Sequence, residues 1–330
     1  MTGHDGRTRR EVLGLLGRAA LLVPLTASAQ EPGRIYRLGG LHQAPKSAPH
    51  HIALSQELRQ LGYVEGQNLE VDGQGYGLRL EQLVTHAAEV ANARVDVILA
   101  GGDPGVRAAM GATKTIPILA LTDDMVGQGF VRSLAKPGSN VTGVSILASE
   151  LDGKRQEILL LAMPGVRRLA ALADVNTTRP GQLQALQDGA RARSVELSIH
   201  RVTQADEIKA AIDAAKKSGA EALNVLASAL LFNNRQIVLE RVAAHRLPAV
   251  YQWPEIPEQG GLIGYGPSIV QLYRDIMARQ LVRLLRGTMP ADVPVEQPTK
   301  FELVINLKTA KVLGLTIPSS ALARADRVIE

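Results

Sequence analysis

The sequence predicts an α/β protein built as two doubly wound parallel-sheet lobes that are joined by three hinge crossings. Three observations predict this fold class. Short β-rich runs alternate with helical patterns from Arg34 onward, which is typical of a parallel sheet covered by helices. The same alternation starts again after Ser149, and about 300 residues are enough for two packed cores. Single strand–helix units then follow near the end of the chain, and each would require a further crossing between the lobes.

The first half of the chain contains four predicted strands and the helices between them, followed by the segment 140–145. Leu54, Leu58 and Leu61 share one helical face, and Gly62 follows where a left-handed residue commonly ends a helix. The third strand is apolar except at Asp96, as expected for a strand that is covered on both faces. The predicted strands are 35–41, 68–71, 95–100 and 116–121.

The second half repeats the alternation, beginning with a helix over 150–162 and a strand over 169–175. Three helix–strand pairs follow, over 181–193 with 197–202, 206–218 with 222–227, and 233–245 with 249–253. The chain then continues with a strand at 262–265, a long helix at 268–286, a proline-rich linker at 289–298 and a last strand at 301–306.

This order of elements predicts hinges near Gly143, Gln259 and residues 299–302. The resulting lobes are an N-terminal lobe of residues 30–142 plus 260–299 and a C-terminal lobe of residues 143–259 plus 300–330.

Residues 1–29 have the pattern of a removable export leader. The pair Arg9–Arg10 precedes an apolar run that ends in Ala27-Ser28-Ala29, which is the order of a secretory signal. The run is too short for a membrane span of about 20 residues, and it contains Arg18. The residues from Thr8 to Leu13 resemble the twin-arginine signal, whose passengers cross the membrane already folded. An ordinary Sec leader is the alternative. We expect cleavage near Ala29.

The composition indicates the compartment in which the protein acts and the classes of partner that it is expected to lack. The chain has no cysteine, so neither a disulfide nor a lipid-modified cysteine is available, and we expect a product that is free in the periplasm rather than lipid-anchored. The formal net charge is +5, of which the leader carries +2, leaving +3. No block of Lys and Arg with interleaved aromatics accompanies this small excess, so we expect no nucleic-acid partner.

Several long strings resemble the ABC-transporter substrate-binding proteins. Besides the leader, they are 61–68 (LGYVEGQN), 133–143 (SLAKPGSNVTG) and 297–311 (QPTKFELVINLKTAK). The resemblance covers nearly the whole chain. It implies the type I periplasmic-binding fold, closure of two lobes on a small-molecule solute, and delivery to an ABC permease in the inner membrane.

Some members of this family bind aromatic amino acids, so the resemblance implies an amino acid or another small organic compound as the solute. The sequence departs from the family after the strand that ends near Ala227. Relatives tend to carry an acidic residue and two aromatics there, whereas this chain has Ser228-Ala229-Leu230-Leu231. This difference removes a carboxylate partner for a ligand ammonium.

The candidate ligand-binding residues follow predicted strands, because ligands of open α/β sheets bind outside the carboxyl ends of the strands. They are His42, Gln43, Gly102, Asp103, Asp123, Asn176, Ser228, Trp253 and Tyr265.

Each candidate has a structural alternative. The turn Gly101-Gly102-Asp103-Pro104 could hold an anionic group on free N–H groups, or could be a tight turn in which Asp103 is the N-cap and Pro104 the first helical residue. Trp253 and Tyr265 could stack on a planar ligand or pack between the lobes. Asp123 and Asp124 are adjacent, so at most one is expected to face the cleft. His42 and Gln43 could lie in a solvated loop.

Catalytic, metal and cofactor sites are not predicted. The chain has no Ser-His-Asp arrangement, no nucleophile elbow and no phosphate-cradling lysine loop. The glycines at 73, 75 and 77 have the wrong spacing for a dinucleotide loop, and His42, His50 and His51 lack nearby carboxylate ligands for a metal.

The sequence therefore favours a non-enzymatic solute-binding receptor of an ABC importer. A periplasmic ligand-sensing protein for a membrane receptor is the alternative. A periplasmic enzyme on the same scaffold would need convergent titratable groups, and a transcription regulator would need a helix-turn-helix in place of the leader.

Overall fold

The structure is a computed structural model in which residues 33–330 are described, so the predicted leader 1–29 lies outside the described residues. Twelve strands fall within this part of the chain. They are β1 (Tyr36–Leu41), β2 (Leu69–Val71), β3 (Val97–Gly101), β4 (Ile118–Thr122), β5 (Val141–Ser145), β6 (Arg168–Asp174), β7 (Glu196–Val202), β8 (Ala222–Val225), β9 (Ala249–Tyr251), β10 (Ile263–Gly266), β11 (Glu302–Asn306) and β12 (Arg327–Ile329).

The helices alternate with these strands as the periodicity predicts. They are α1 (Pro49–Gln60), α2 (Leu83–Asn92), α3 (Gly102–Ala112), α4 (Asp152–Ala162), α5 (Pro180–Arg191), α6 (Glu207–Lys217), α7 (Ala229–Asn233), α8 (Arg235–Ala244), α9 (Ile269–Gln271), α10 (Ala278–Leu285), α11 (Leu307–Leu313) and α12 (Ser319–Leu322). A π-helical segment, Leu272–Met277, joins α9 to α10. Within residues 33–330, no helix combines the length and the apolar character that a membrane crossing needs.

The first lobe is built on a five-stranded parallel sheet with the order β2-β1-β3-β4-β5. Its central strands are apolar and buried on both faces, as in Val97, Ile98 and Leu99 of β3. The continuous apolar run in the sequence is therefore explained by helices covering both faces of the sheet. This sheet orders the loops that follow β1, β3 and β4 along one edge.

The second lobe is built on a seven-stranded sheet with the order β12-β11-β10-β9-β8-β6-β7. All neighbours are parallel except β10 and β11, which pair antiparallel. The fold is α/β with parallel sheets in two lobes, which confirms the predicted class. The sequence pattern did not predict β12.

The range 260–299, predicted for the N-terminal lobe, is divided between the two lobes. β10 pairs with β9 and β11 and therefore belongs to the second sheet. The helical segment that follows it, from Ile269 to Leu285, packs against α1 of the first lobe. Residue Glu296 then pairs beside Val144 at the edge of the first sheet. The alternation of side chains in a short strand indicates that one face of the strand is buried. It does not indicate which of the two sheets the strand joins.

The three crossings consequently lie close to the predicted hinges, but two are displaced. The hinge predicted near Gly143 lies inside β5, and the chain crosses just after it, at 146–151. The hinge predicted near Gln259 lies in a 3₁₀ turn of the second lobe, and the chain crosses after Gly266. The third crossing runs from Glu296 to Glu302, and the predicted range 299–302 overlaps it.

Candidate functional site

A cleft lies between the two sheets at the carboxyl ends of their parallel strands. It contains about 760 Å³ of space free of protein atoms, part of which is open to solvent. The first lobe lines it with residues that follow β1, β3 and β4, and the second with residues that follow β6, β8 and β9. The helical segment after β10 contributes Ile269 and Tyr273.

Most of the candidate residues line this cleft. They are His42, Gln43, Gly102, Asp103, Asp123, Ser228 and Trp253. Their position follows from parallel strands ending at one edge of each sheet. Their contact with a ligand stays a prediction.

Asn176 and Tyr265 do not line the cleft. Asn176 turns back on the strand before it, since its side-chain amide donates to Asp174 Oδ1 and to the carbonyl oxygen of Thr203, each at 3.1 Å. Tyr265 packs in the second lobe, where its ring lies 6.5 Å from the ring of Phe301. Both residues lie near strand ends, as predicted, but their side chains contact other residues of the second lobe and not the cleft.

Two carboxylates give the first-lobe wall its charge. Asp123 accepts hydrogen bonds from the backbone N–H of Ser149 at 3.1 Å and from its hydroxyl at 2.5 Å. Asp103 accepts a hydrogen bond from the hydroxyl of Thr122. Burial and, to a smaller extent, the neighbouring Asp123 carboxylate raise the pKa of Asp103 to about 6. No lysine or arginine is among the described residues that line the cleft, so its wall is acidic at neutral pH.

The turn before Asp103 brings backbone close to the first strand. A Cβ on Gly101 would lie 2.6 Å from His42 Nδ1, so only glycine lets the His42 ring pack there. Helix α3 is assigned from Gly102, whose φ of +73° is left-handed, so Asp103 and Pro104 lie in the first turn. No side chain caps this turn, and the Asp103 carboxylate accepts from the Thr122 hydroxyl instead. The carboxylate of Asp103 is available to the cleft.

Aromatic rings line the cleft on both sides: Trp253 and Phe232 belong to the second lobe, whereas Tyr273 packs with His50 on the first lobe. Trp253 and Phe232 lie with ring centroids 5.5 Å apart, and Tyr273 lies 4.7 Å from the ring of His50. Burial and the neighbouring His51 lower the pKa of His50 to about 3 and hold the pKa of His42 well below its usual range. Both imidazoles are therefore neutral at pH 7. A planar or apolar group fits between these rings better than a second charge does.

Two polar contacts join the lobes across the cleft. The side-chain amide of Asn233 donates to Gln43 Oε1 at 2.8 Å, and Arg179 Nη2 donates to Asp124 Oδ2 at 2.7 Å. Burial acts to raise the pKa of Asp124, but the hydrogen bonds from Gly127 and Arg179 together lower it. The two lobes are therefore held in a closed arrangement by side chains that meet directly.

A buried ion pair supports the cleft from behind. Asp152 and Arg155 at the start of α4 are fully buried, with Arg155 Nη1 and Asp152 Oδ1 2.6 Å apart. The guanidinium also donates to the carbonyl oxygens of Ala148, Tyr265 and Gln252. The Asp152 carboxylate accepts the N–H of Ala227. This pair thus connects the first crossing to the ends of β8, β9 and β10.

Other residues of the cleft were missed from the sequence. They are His50, Thr177, Phe232, Asn233, Gln252 and Tyr273. Tyr273 lies in the π-helical segment, a rare geometry that is frequent at functional sites. A signal did exist for the buried pair, because Asp152, Arg155, Gln156 and Leu159 have the spacing of one buried helical face. Polar residues on such a face indicate a structural network.

The three neighbouring histidines pack against one another. Within residues 33–330, no group of three or more His, Asp or Glu side chains is arranged to hold a metal ion. The rings of His42, His50 and His51 pack edge against face instead, with centroids 4.3 to 4.6 Å apart for successive pairs.

Known proteins resemble this chain in sequence and in fold. A curated tyrosine-binding protein of Clostridioides difficile (strain R20291) is 27% identical over 262 residues, which is 78% of this chain and 74% of the relative. A conserved domain protein of Vibrio cholerae has the same fold, with a TM-score of 0.78, 24% identity, and coverage of 89% of this chain and 99% of that one.

The fold is also shared by an ABC domain from Streptococcus pneumonia that was crystallised with L-Trp. Its TM-score is 0.77, its sequence identity is 24%, and the match covers 89% of this chain and all of that one. The family model described as ABC transporter substrate binding protein matches residues 51–329. The chain belongs to the ABC transporter substrate-binding protein family.

Proposed function

We propose that the protein is the solute-binding receptor of an ABC importer, and that it binds a small molecule in the cleft and delivers it to a membrane permease. The single observation that carries this proposal is the cleft itself, because both lobes line it and side chains bridge it at Gln43–Asn233 and Asp124–Arg179. A ligand that touches both lobes stabilises the closed form relative to the open one. Binding and release, rather than turnover, is the activity that this arrangement supports.

We propose an amino acid or related amine with an aromatic or apolar side chain as the solute. Asp103 and Asp123 supply negative charge for an ammonium group on one wall. Trp253 and Phe232 supply rings for the side chain on the second-lobe wall, and Tyr273 supplies a further ring beside His50. These carboxylates take the place of the acidic residue that the sequence lacks after β8. The tyrosine-binding relative makes aromatic amino acids the first compounds to test.

We further propose that the receptor acts in the periplasm after removal of residues 1–29. The twin-arginine pattern at Arg9–Arg10 and the absence of cysteine from the sequence support this location.

A thermal-shift screen of the mature chain against amino acids, amines, carboxylates and nucleobases tests the proposal. A ligand present at 100 times its dissociation constant adds about 2.7 kcal/mol to the free energy of unfolding. We expect an aromatic amino acid or amine to raise the melting temperature, and mass spectrometry to recover it unchanged. Failure of every class, or recovery of a chemically altered ligand, would contradict the proposal.

A further inference from the structure

A second cavity lies in the first lobe, between α1 and the edge of the sheet formed by β1 and β2. It contains about 740 Å³ of space free of protein atoms, including space open to solvent. No residue lines both this cavity and the interlobe cleft. Its walls are mainly apolar and include Leu54, Leu58 and Leu69, together with the rings of Tyr63 and Tyr76. The first lobe therefore has internal space that the proposed transport function does not use.

Two buried polar side chains line this cavity without a protein partner for one of their atoms. His51 is 4% exposed and Tyr63 is 1% exposed. Among residues 33–330, neither His51 Nε2 nor Tyr63 Oη has a hydrogen-bond partner. A buried polar atom without a partner costs about 1–3 kcal/mol, so a donor or acceptor that enters the cavity gains by pairing with these two atoms.

The free atom of His51 is a hydrogen-bond acceptor. Its Nδ1 lies 2.9 Å from the carbonyl oxygen of Pro45, which can only accept, so Nδ1 carries the proton. Burial lowers the pKa of His51 to about 4, and the ring is therefore neutral at pH 7. Nε2 is left with a lone pair that requires an O–H or N–H donor. The hydroxyl of Tyr63 can donate or accept.

The mouth of the cavity is electrically balanced. Lys46 and Glu65 both line it, form an ion pair with an Nζ–Oε1 distance of 2.5 Å, and have side chains that are about two-fifths exposed. Because these opposite charges satisfy one another, the cavity offers no unpaired charge to a ligand ion. Aromatic and leucine walls, one acceptor and one hydroxyl define a neutral amphipathic guest.

We propose that this cavity binds a small neutral aromatic compound that carries one hydroxyl group, such as a phenol. The hydroxyl donates to His51 Nε2 and accepts from a donor such as Tyr63 Oη, while the ring packs against Leu54 and Leu58. Among the glycines at 73, 75 and 77, Gly75 has a role here. The backbone of Gly75 packs directly on that of Gly40, where no side chain fits, and this contact fixes the position of Tyr76.

The proposed site is one ring away from the interlobe cleft. His42 lines the cleft, and its ring stacks on Tyr76 at 5.3 Å and meets His51 at 4.6 Å. Binding of a phenol must therefore be assigned to one cavity or the other by variants, since both have aromatic walls.

The test compares p-cresol with toluene by titration calorimetry on the full chain. We expect p-cresol to bind, and toluene, which has the same shape without the hydroxyl and so loses both hydrogen bonds, to bind more than about tenfold more weakly, since one hydrogen bond corresponds to about tenfold. His51→Phe keeps a ring but removes Nε2, and we expect it to weaken p-cresol by about tenfold and to leave toluene unchanged. The ¹⁵N resonance of His51 Nε2 in the wild-type chain should shift with p-cresol.

Two further variants make the outcome decisive. His200→Phe, the same substitution in β7 of the other lobe, should leave p-cresol affinity unchanged. Tyr63→Phe removes a single oxygen and replaces His51→Phe if that variant does not fold. The proposal is overturned if p-cresol does not bind at millimolar concentration, if toluene binds as tightly, or if neither His51→Phe nor Tyr63→Phe weakens p-cresol. A water that stays bound to His51 Nε2 in crystals soaked with p-cresol overturns it as well.

Discussion

Two arginine–aspartate pairs near the cleft use the same chemistry in different surroundings. Arg155 and Asp152 are fully buried behind the cleft, and most of their polar contacts are to backbone of the crossing or of the ends of the second sheet. Arg179 and Asp124 meet across the cleft, with side chains 56% and 21% exposed. Burial makes the first pair expensive to break, while solvent keeps the second one weak. One pair therefore holds the cleft in shape, and the other can release it.

The largest effect is expected from Arg155→Met. This change leaves the Asp152 carboxylate buried without its counter-ion and removes the guanidinium donor from the carbonyl oxygens of Ala148 and Tyr265. We expect a loss of about 3–5 kcal/mol in the free energy of unfolding, measured by urea denaturation. Arg191→Met is the matched control, because Arg191 and Asp188 form a pair at the same i, i+3 spacing on the exposed face of α5. That variant should lose less than about 1 kcal/mol.

Equal losses in Arg155→Met and Arg191→Met would show that burial of the pair does not matter. The contrast between a fixed and a releasable pair would then have no energetic basis.

The next effect concerns the charge on the cleft wall. Asp103→Asn removes a carboxylate but keeps an oxygen that can accept from the Thr122 hydroxyl. We expect the affinity for an ammonium ligand to fall about 10- to 100-fold, as for a lost charge-assisted hydrogen bond. Asp188→Asn, an exposed substitution on α5, should leave affinity unchanged. An amine ligand that binds Asp103→Asn as tightly as the wild type would remove Asp103 from the site.

The raised pKa of Asp103 determines how ligand affinity and folding stability change with pH. Because its pKa is raised from 3.8 to about 6 in the folded chain, ligand affinity in the wild type should fall as pH decreases through 6. Folding behaves in the opposite way, since a raised pKa contributes stability below pH 3.8 that is lost as pH rises through 6. At pH 7, Asp103→Asn should therefore be at least as stable as the wild type. Calorimetric titrations at pH 5 and pH 7.5 measure the first trend, and urea denaturation measures the second.

Many residues of the cleft could be predicted from the sequence, because strand order determines where they lie. Parallel strands end at one edge, so residues such as His42, Asp103 and Trp253 can be assigned to that edge from strand order alone. Side-chain direction cannot be assigned in this way, and Asn176 and Tyr265 follow or end strands yet turn into the second lobe.

The sequence pattern also does not determine which sheet each short strand joins. β10 has only four residues and alternates glycine with larger side chains, so nothing in its sequence distinguishes pairing with β9 from a return to the first lobe. β12 has three residues, one of them a charged arginine, and pairs only at the edge of the second sheet. Elements of this length are held by tertiary contacts rather than by propensity.

The smallest effect, and the most informative about closure, is expected from Arg179→Ala. The Arg179–Asp124 pair is partly exposed, so its removal should change the free energy of unfolding by less than about 1 kcal/mol. It should nevertheless loosen the closed form, because the contact joins the two lobes while the rest of each lobe is unchanged. We expect a larger radius of gyration of the ligand-free protein by small-angle X-ray scattering and ligand dissociation that is a few times faster. Arg37→Ala is the matched control, because Arg37 is about as exposed as Arg179 and its pair with Glu70 lies inside the first lobe. If the two variants have the same radius of gyration and the same dissociation rate, the Arg179–Asp124 contact plays no part in closure, and Gln43–Asn233 is then the contact to remove next.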